Sequence, residues 1–341
     1  MKKNSGIKQF GRLIGGHPRM LKLYRLIDKA ATVNIPVLIV GETGTGKELV
    51  AREIHDRSQC KGLFVPLNTG GLSKELITSE LFGHRKGAFT GAVDRNPGLF
   101  HEARCGTLFL DEIGTMDHFT QVTLLRVLEY GKYRMVGSSK EIKAEARVLA
   151  AINVSPSKAV QNGKLRRDLL HRLQVFRILI PPLRKRDSDI EILTRFFIRH
   201  YAKEFEMKVT DIDDNALQLL NKYGWPGNVR ELKNVMAQSV IICDEKTITE
   251  ENIPPRIRHY EPPDPSKKID DDDETEDDND DDEQEKKGDN ILMPLGPSLD
   301  EIEKIYTIRI LEKCGNNKTM AADILGISRK ALYDKLAKWG L

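Results

Sequence analysis

The first strong pattern along the chain is helical. From Met20 to Ala31 the apolar positions Met20, Leu23, Leu26, Ile27 and Ala30 recur at three- and four-residue spacing. That spacing lays one apolar stripe along a helix. The period then changes. Ile35 to Val40 is a short, nearly unbroken apolar run, and Phe64–Leu67, Thr107–Leu110 and Arg147–Ile152 are of the same kind. Such runs mark strands buried on both faces. Helices are predicted between them over 49–56, 72–82, 122–128 and 165–173. Alternating strands and helices predict a parallel sheet with helices on both faces. Pro181-Pro182 breaks this pattern and marks a boundary. Beyond it the periodicity is mostly helical, over 189–205, 212–222 and 228–244, with a turn at Trp225–Asn228 in which Asn228 is placed as an N-cap.

The last stretch is a small helical unit. Ser298-Leu299-Asp300-Glu301 reads as a capping box. The helix after it carries Ile302, Ile305, Tyr306, Ile308 and Ile310, an apolar surface broad enough to suggest dimerisation. Lys318–Gly326, a glycine-containing turn, and a basic helix from Arg329 to Trp339 have helix-turn-helix spacing. Leu332, Leu336 and Trp339 are expected to face inward. Ser328, Arg329, Lys330, Tyr333, Lys335 and Lys338 are then available to DNA, with Ser328 and Arg329 best placed for base edges. The bland reading is a three-helix unit that only packs.

Charge sharpens this division. The 341 residues carry a net charge of +3. Residues 261–290 alone hold 16 acidic and 4 basic side chains, and residues 291–341 are net +2, which leaves 1–260 at +13. A basic body suggests an anionic partner. The acidic stretch cannot bury apolar surface and is read as a disordered, extended linker. No apolar run is long enough to span a membrane, and the N-terminus lacks the apolar core of a signal peptide. The four cysteines are scattered without a CxxC, so they read as reduced thiols in the cytoplasm.

Three stretches carry chemistry. Gly41-Glu42-Thr43-Gly44-Thr45-Gly46-Lys47-Glu48 follows a strand and opens a helix, which is the P-loop context. Its amides and helix N-terminus suit a polyphosphate, and Lys47 reaches the β- and γ-phosphates. The bland alternative is a glycine-rich turn with a chance lysine. Glu48 stands where the general motif has a magnesium-binding hydroxyl. Asp111-Glu112 ends the Thr107 strand. Asp111 is expected to hold Mg2+, mostly through water, and Glu112 to polarise the attacking water. Asn153, at the end of another strand, is placed either as a γ-phosphate sensor or as an ordinary turn residue. Arg166 and Arg172 lie on a short basic helix that is either a solvated face or the source of a trans-acting arginine finger. Arg230 falls in the first turn of its helix, where a cation opposes the dipole, so a bound phosphate explains it best. The third stretch is Gly87-Ala88-Phe89-Thr90-Gly91-Ala92, read as a loop tip holding Phe89 outward between glycines. The bland reading is a surface turn whose Phe89 folds back into the core.

Together these motifs resemble the bacterial enhancer-binding proteins that activate sigma-54 RNA polymerase. These are AAA+ ATPases with a C-terminal Fis-type helix-turn-helix. The resemblance spans roughly 13–256 and 298–341. It is carried by GAFTGA at 87–92 inside SELFGHRKGAFTGA, by GETGTGKE at 41–48, GTLFLDEIG at 106–114, RRDLLHRL at 166–173, PPLRKR at 181–186 and WPGNVREL at 225–232. It implies an AAA+ α/β subdomain at 13–182 after a lead-in at 1–12, a helical lid at 183–260, an acidic linker at 261–297 and a separate all-α helix-turn-helix at 298–341. It implies ATP at the interfaces of a hexameric ring. Residues 87–92 are implied to touch sigma-54 and Asn68 to pair with Glu112 as a switch. Arg166 and Arg172 become trans fingers, Arg230 the second sensor and Asn153 the first. An entry loop near residue 13 is implied to line an adenine pocket, and Glu48 is the family's usual residue. Three departures stand out. Arg85 replaces a usual acid, Ile152 a usual threonine, and Thr69-Gly70 a usual Cys-Ala. No receiver, GAF or other sensory domain precedes residue 13. Control in trans, control by expression level, or a truncated chain are the expectations that remain.

The reading is therefore an ATP-driven activator that binds upstream DNA and opens sigma-54 promoters. Two rivals stand beside it. One is a regulator of ordinary promoters with the same ancestry, which a degraded GAFTGA would favour. The other is an AAA+ remodelling enzyme or chaperone with a nucleic-acid tether, which a substrate-recognition domain would favour.

Overall fold

The computed structural model describes residues 9–71, 73–88, 92–262, 307, 311, 318–324, 327 and 329–339. The chain divides into two compact units, Met1–Glu274 and Thr275–Leu341.

The larger unit opens with a hairpin of β1 (Gln9–Phe10) and β2 (Leu13–Ile14), followed by α1 (Pro18–Ala31). Residues 9–12 are thus an ordered part of this unit and not a loose lead-in. The Phe10 ring stacks on Tyr24 at 4.5 Å, and the Arg12 amide donates to the buried Glu53 carboxylate at 2.7 Å. The α/β layer then runs β3 (Val37–Val40), α2 (Lys47–Arg57), β4 (Phe64–Asn68), α3 (Lys74–Phe82), α4 (Leu99–Glu102), β5 (Thr107–Asp111) and α5 (His118–Tyr130). A hairpin of β6 (Lys132–Arg134) and β7 (Glu141–Lys143) follows, then β8 (Arg147–Ile152), α6 (Pro156–Gln161), α7 (Arg167–Leu173) and β9 (Phe176–Leu179). Helix α5 is longer than its apolar pattern predicts because Asp117 caps it, accepting from the amides of Phe119 and Thr120.

The five main strands form one parallel sheet in the order β4-β5-β8-β3-β9. Successive side chains of a strand point to opposite faces, and the two cores show it. Leu38, Val40, Leu108, Leu110, Val148 and Ala150 pack on one face. Val37, Ile39, Phe109, Leu149 and Ala151 pack on the other, against α1 and α2. This is why the strands read as continuous apolar runs. The carboxyl ends of β3, β4, β5 and β8 share one edge, where ligands bind in open parallel sheets.

The helical part follows Pro181-Pro182 and a 3-10 turn at Leu183–Lys185. It comprises α8 (Asp187–Glu204), β10 (Asp211–Ile212), α9 (Asp214–Lys222), α10 (Asn228–Ile242), β11 (Thr247–Ile248) and α11 (Pro255–Arg258). Its core surrounds Trp225, which is fully buried and donates its indole N–H to Leu220 O at 2.8 Å.

In the smaller unit the helices Lys318–Ile324 and Arg329–Lys338 meet through Ala321, Ala322, Leu332 and Leu336, with Leu311 and Ile327 beside them. Leu332 and Leu336 point inward as expected, while Trp339 is half-buried under the Lys335 ammonium. The capping box at 298–301, the stripe Ile302, Ile305, Tyr306, Ile308 and Ile310, and positions 263–300 lie outside the described residues.

Candidate functional site

The site begins where β3 ends. All four strand residues are buried, and the chain turns at once into the loop Gly41–Gly46. Gly44 (φ 80°) and Gly46 (φ 101°) adopt left-handed conformations that L side chains resist. Gly46 caps α2 without a side chain, so the first amides of the helix point outward with no intrahelical partner. Lys47 is the first residue of that helix. Its ammonium donates to Gly41 O at 2.9 Å and Glu42 O at 3.3 Å. Burial lowers its pKa from the ordinary 10.5, opposed by the charges of Asp111 and Glu112, and Arg230 lowers it further. Lys47, both acids and Arg230 therefore share one electrostatic neighbourhood. The Gly41 amide donates to Ile152 O at 3.2 Å, which ties the loop to β8 and sets exposed Asn153 next to it in sequence.

Asp111 and Glu112 differ in backbone. Asp111 closes the strand, and its Oδ1 accepts the Glu112 amide at 3.0 Å. Glu112 has φ 60° and ψ 43°, a left-handed conformation uncommon outside glycine and found at functional sites. The turn is held by Thr69, whose buried hydroxyl lies 2.9 Å from Asp111 O, 2.8 Å from Glu112 O and 2.8 Å from the Thr115 hydroxyl. Gly70 makes room for the Glu112 carboxylate. A Cβ there would stand 2.2 Å from Glu112 Oε2. The expected Asn68–Glu112 pairing is not made. Asn68 Oδ1 accepts the Gly70 amide at 2.8 Å instead, because the Thr69–Gly71 turn brings that donor back within reach.

The two P-loop carboxylates both pair with arginines. Glu48 pairs with Arg52 one helical turn on, at 2.8 Å. Glu42 pairs with Arg184 of the lid at 2.7 and 2.8 Å and accepts from Asn228. Asn228 is not an N-cap. Gly227 holds that position, and the Asn228 side chain is fully buried at φ 51°. Spacing gave no hint of this three-residue contact, although the PPLRKR and WPGNVREL segments contain two of its members.

The arginines of α7 face outward. Arg166, at the N-cap, pairs with Asp168 and His118, and Arg172 pairs with Glu129 at 3.4 Å. Arg230 is exposed on α10, and its amide donates to Gly44 O at 3.2 Å. Among the described residues no group of three or more His, Cys, Asp or Glu could hold a metal alone.

The base of the 87–92 loop is built from close backbone contacts. Gly83 and Gly98 touch so tightly that a Cβ on Gly98 would lie 2.3 Å from the Gly83 amide. The Gly87 amide donates to Ala92 O at 2.9 Å and closes the tip. Ala88 lies against Gly137 of the β6–β7 hairpin, and the Arg85 amide donates to Val136 O. Phe89, Thr90 and Gly91 lie outside the described residues, as does Ser328. In the small unit Arg329, Lys330, Tyr333 and Lys338 are exposed and Lys335 is half-buried, with the Lys318 ammonium 4.9 Å from the Tyr333 ring.

A P-loop, a strand-end acid pair and a helical lid bearing an arginine define an AAA+ ATPase. Residues 13–179 match the sigma-54 interaction domain, 184–269 the AAA+ ATPase lid domain, and 298–339 the Fis family of bacterial regulatory proteins. The regulatory protein AtoC of Escherichia coli is 38% identical over 339 residues, covering 98% of this chain and 68% of that protein. The DNA-binding transcriptional regulator NtrC of Rhizobium meliloti is 38% identical, covering 96% and 70%. ZraR of Klebsiella oxytoca is 40% identical, covering 97% and 69%. The solved structure of NtrX from Brucella abortus in complex with ATP aligns at a TM-score of 0.68 and 30% identity, over 97% of this chain and 70% of that one. The chain belongs to the sigma-54-dependent transcriptional regulators, with an ATPase domain that binds nucleotide and a DNA-binding helix-turn-helix. Among the described residues no helix is long and apolar enough to cross a membrane.

Proposed function

We propose that this protein is a cytoplasmic activator that assembles into a hexameric ring, binds upstream enhancer DNA and opens sigma-54 promoters by ATP hydrolysis. The observation that carries the reading is the intact hexapeptide Gly87–Ala92 on a hydrogen-bonded loop base, in one chain with Lys47, Asp111 and Glu112.

The roles follow from placement. The amides from Gly41 to Lys47 cradle the phosphates, and Lys47 exchanges its loop carbonyls for β- and γ-oxygens. Asp111 supplies hard oxygen donors that suit Mg2+, held mostly through water and completed by phosphate. That ion would neutralise charge developing on the transferred phosphoryl group. Glu112 takes the proton of the attacking water. Arg166 and Arg172 reach into a neighbouring subunit's site; within their own chain they pair with Asp168, His118 and Glu129 and not with the P-loop. Asn153 and Arg230 report the γ-phosphate from the sheet and from the lid. Residues 87–92 bear on sigma-54. Arg329, Lys330, Tyr333, Lys335 and Lys338, with Ser328, contact DNA.

The test is capture of purified sigma-54 with ADP and a metal fluoride that mimics the transition state. A nucleotide-dependent complex, lost in Phe89→Ala while ATP hydrolysis persists, is the expected result. Hydrolysis with no complex would overturn it and favour a regulator of ordinary promoters.

A further inference from the structure

Glu42 poses an electrostatic problem. It is a carboxylate inside a phosphate-binding loop, where an uncompensated negative charge repels the ligand. Its surroundings answer the problem. Arg184, in the 3-10 turn that begins the lid, grips both Glu42 oxygens at 2.7 and 2.8 Å. Asn228 completes the contact from the start of α10. Its Nδ2 donates to Glu42 Oε2 at 3.0 Å and to Thr43 O at 3.1 Å, and its Oδ1 accepts the Leu183 amide at 2.8 Å. One buried amide thus joins the P-loop, the hinge and the lid. It does so at φ 51°, a conformation that persists only where its surroundings hold it.

The backbone repeats the contact. A Cβ on Gly44 would stand 2.2 Å from Gly227 O, so only glycine lets the lid turn seat there. The Arg230 amide donates to Gly44 O. The first turn of α10, which carries Arg230, is therefore placed by the P-loop itself.

An ordinary surface ion pair is the bland reading, and the side chains of Arg184 and Glu42 are 40% and 38% exposed. Such a pair adds little to stability. Bidentate geometry and a shared, fully buried asparagine fix orientation rather than stability. We propose that Glu42 is a positioning residue: through Arg184 and Asn228 it latches the lid to the P-loop and sets Arg230 over the phosphate site. The proposal rests on the reading of Arg230 as a nucleotide sensor.

The experiment uses full-length protein and compares Glu42→Ala, Arg184→Ala and Arg230→Ala with the Glu42/Arg184 and Glu42/Arg230 doubles. Glu42→Ala and Arg184→Ala should each lower ATP turnover about tenfold, the size of coupling within one contact network, and the double should be no worse than either. ADP affinity should change less than about twofold, because ADP lacks the phosphate that Arg230 senses. Melting temperatures should stay within about 2 °C of wild type. In the Arg230→Ala background Glu42→Ala should have no further effect. If Glu42→Ala misfolds, Glu42→Gln replaces it, since it keeps an acceptor for Asn228 and loses the charge facing Arg184. Turnover unchanged in the Glu42 variant overturns the proposal, and so does a full extra loss in the Arg230→Ala background. Wild-type turnover in Arg230→Ala alone overturns the sensor reading and the latch with it, and is told apart by that single variant.

Discussion

Replacing Thr69 with valine tests whether the strand end bearing Asp111 and Glu112 is held from outside. The side chain is 1% exposed, so valine fits its shape and removes only the hydroxyl. A hydroxyl has one proton to give. Thr115 Oγ1 donates to Glu112 O at 2.8 Å, which leaves the single Thr69 proton for Asp111 O at 2.9 Å. Valine leaves that carbonyl without this donor, at a cost of about 2 kcal/mol. For a unit of this size that corresponds to a melting point lower by roughly 4–8 °C. Loosening the turn also moves Asp111 and Glu112, and a misplaced reacting group is expected to lose about tenfold or more in kcat with KM unchanged. Thr69→Ser is the control. It gives up one buried methyl, about 1 kcal/mol, and keeps the hydroxyl, so it should melt a little lower and hydrolyse ATP at the wild-type rate. Scanning calorimetry and a phosphate-release assay read both effects. Equal kcat losses in the two variants, or none in Thr69→Val, would refute the reasoning.

Gly70→Ala places a Cβ 2.2 Å from Glu112 Oε2, so the carboxylate must swing away; kcat should change about tenfold or more while ATP affinity holds, and an unaltered kcat would mean that Glu112 works from another position. The Glu42 carboxylate has its pKa lowered chiefly by the Arg184 hydrogen bond, against burial and with help from Asn228. A depressed carboxylate stabilises the fold above its ordinary value near 4.5 and loses that contribution as pH falls through the folded-state value. Any stability gap between wild type and Glu42→Gln, kept small by solvent exposure of the pair and read in urea melts, should therefore be present at neutral pH and close in acid; a gap independent of pH would remove Glu42 from the contact. Lys330→Ala should weaken DNA binding and reduce its salt slope by about 1 in a titration, whereas an unchanged slope would place that side chain off the phosphates.

The fold was legible because burial on two faces leaves a plain mark. Leu38 and Val37 sit on opposite sides of one sheet, and both had to be apolar. The phosphate loop was legible because Gly44 and Gly46 need conformations that glycine alone takes easily. The partners of Glu42 were not legible. Arg184 and Asn228 lie 142 and 186 residues away, and no local period records a contact across such a separation. Asn228 looked like a cap because asparagine before a helix usually is one. Its side chain was drawn instead to two groups in the P-loop and one in the hinge. Asn68 shows the converse. The resemblance supplied a partner for it, and local geometry supplied a nearer one in the Gly70 amide.

The two departures at Thr69 and Gly70 lie in the turn between the Asp111–Glu112 strand end and the helix that leads to the 87–92 loop. From that turn the chain enters α3 and leaves it at Gly83, so one helix links the acid pair to the loop base. The helix is not free to absorb a shift. Ile77, Leu81 and Phe82 are fully buried, Phe82 stacks on Phe100 at 5.6 Å, and the Ser79 hydroxyl meets His84 Nδ1 at 2.7 Å. Packed interiors transmit displacement rather than dissipate it. A movement of Glu112 across Gly70 would therefore reach Gly83 as motion of the whole helix, not as bending within it. The Gly83–Gly98 contact would carry it to both arms of the loop at once. A glycine at position 70 lets Glu112 lie over this turn, and a threonine at 69 pins the other side of the same turn to the strand. Altering either should change how hydrolysis and loop movement are coupled, even where the acids and the hexapeptide are left as they are.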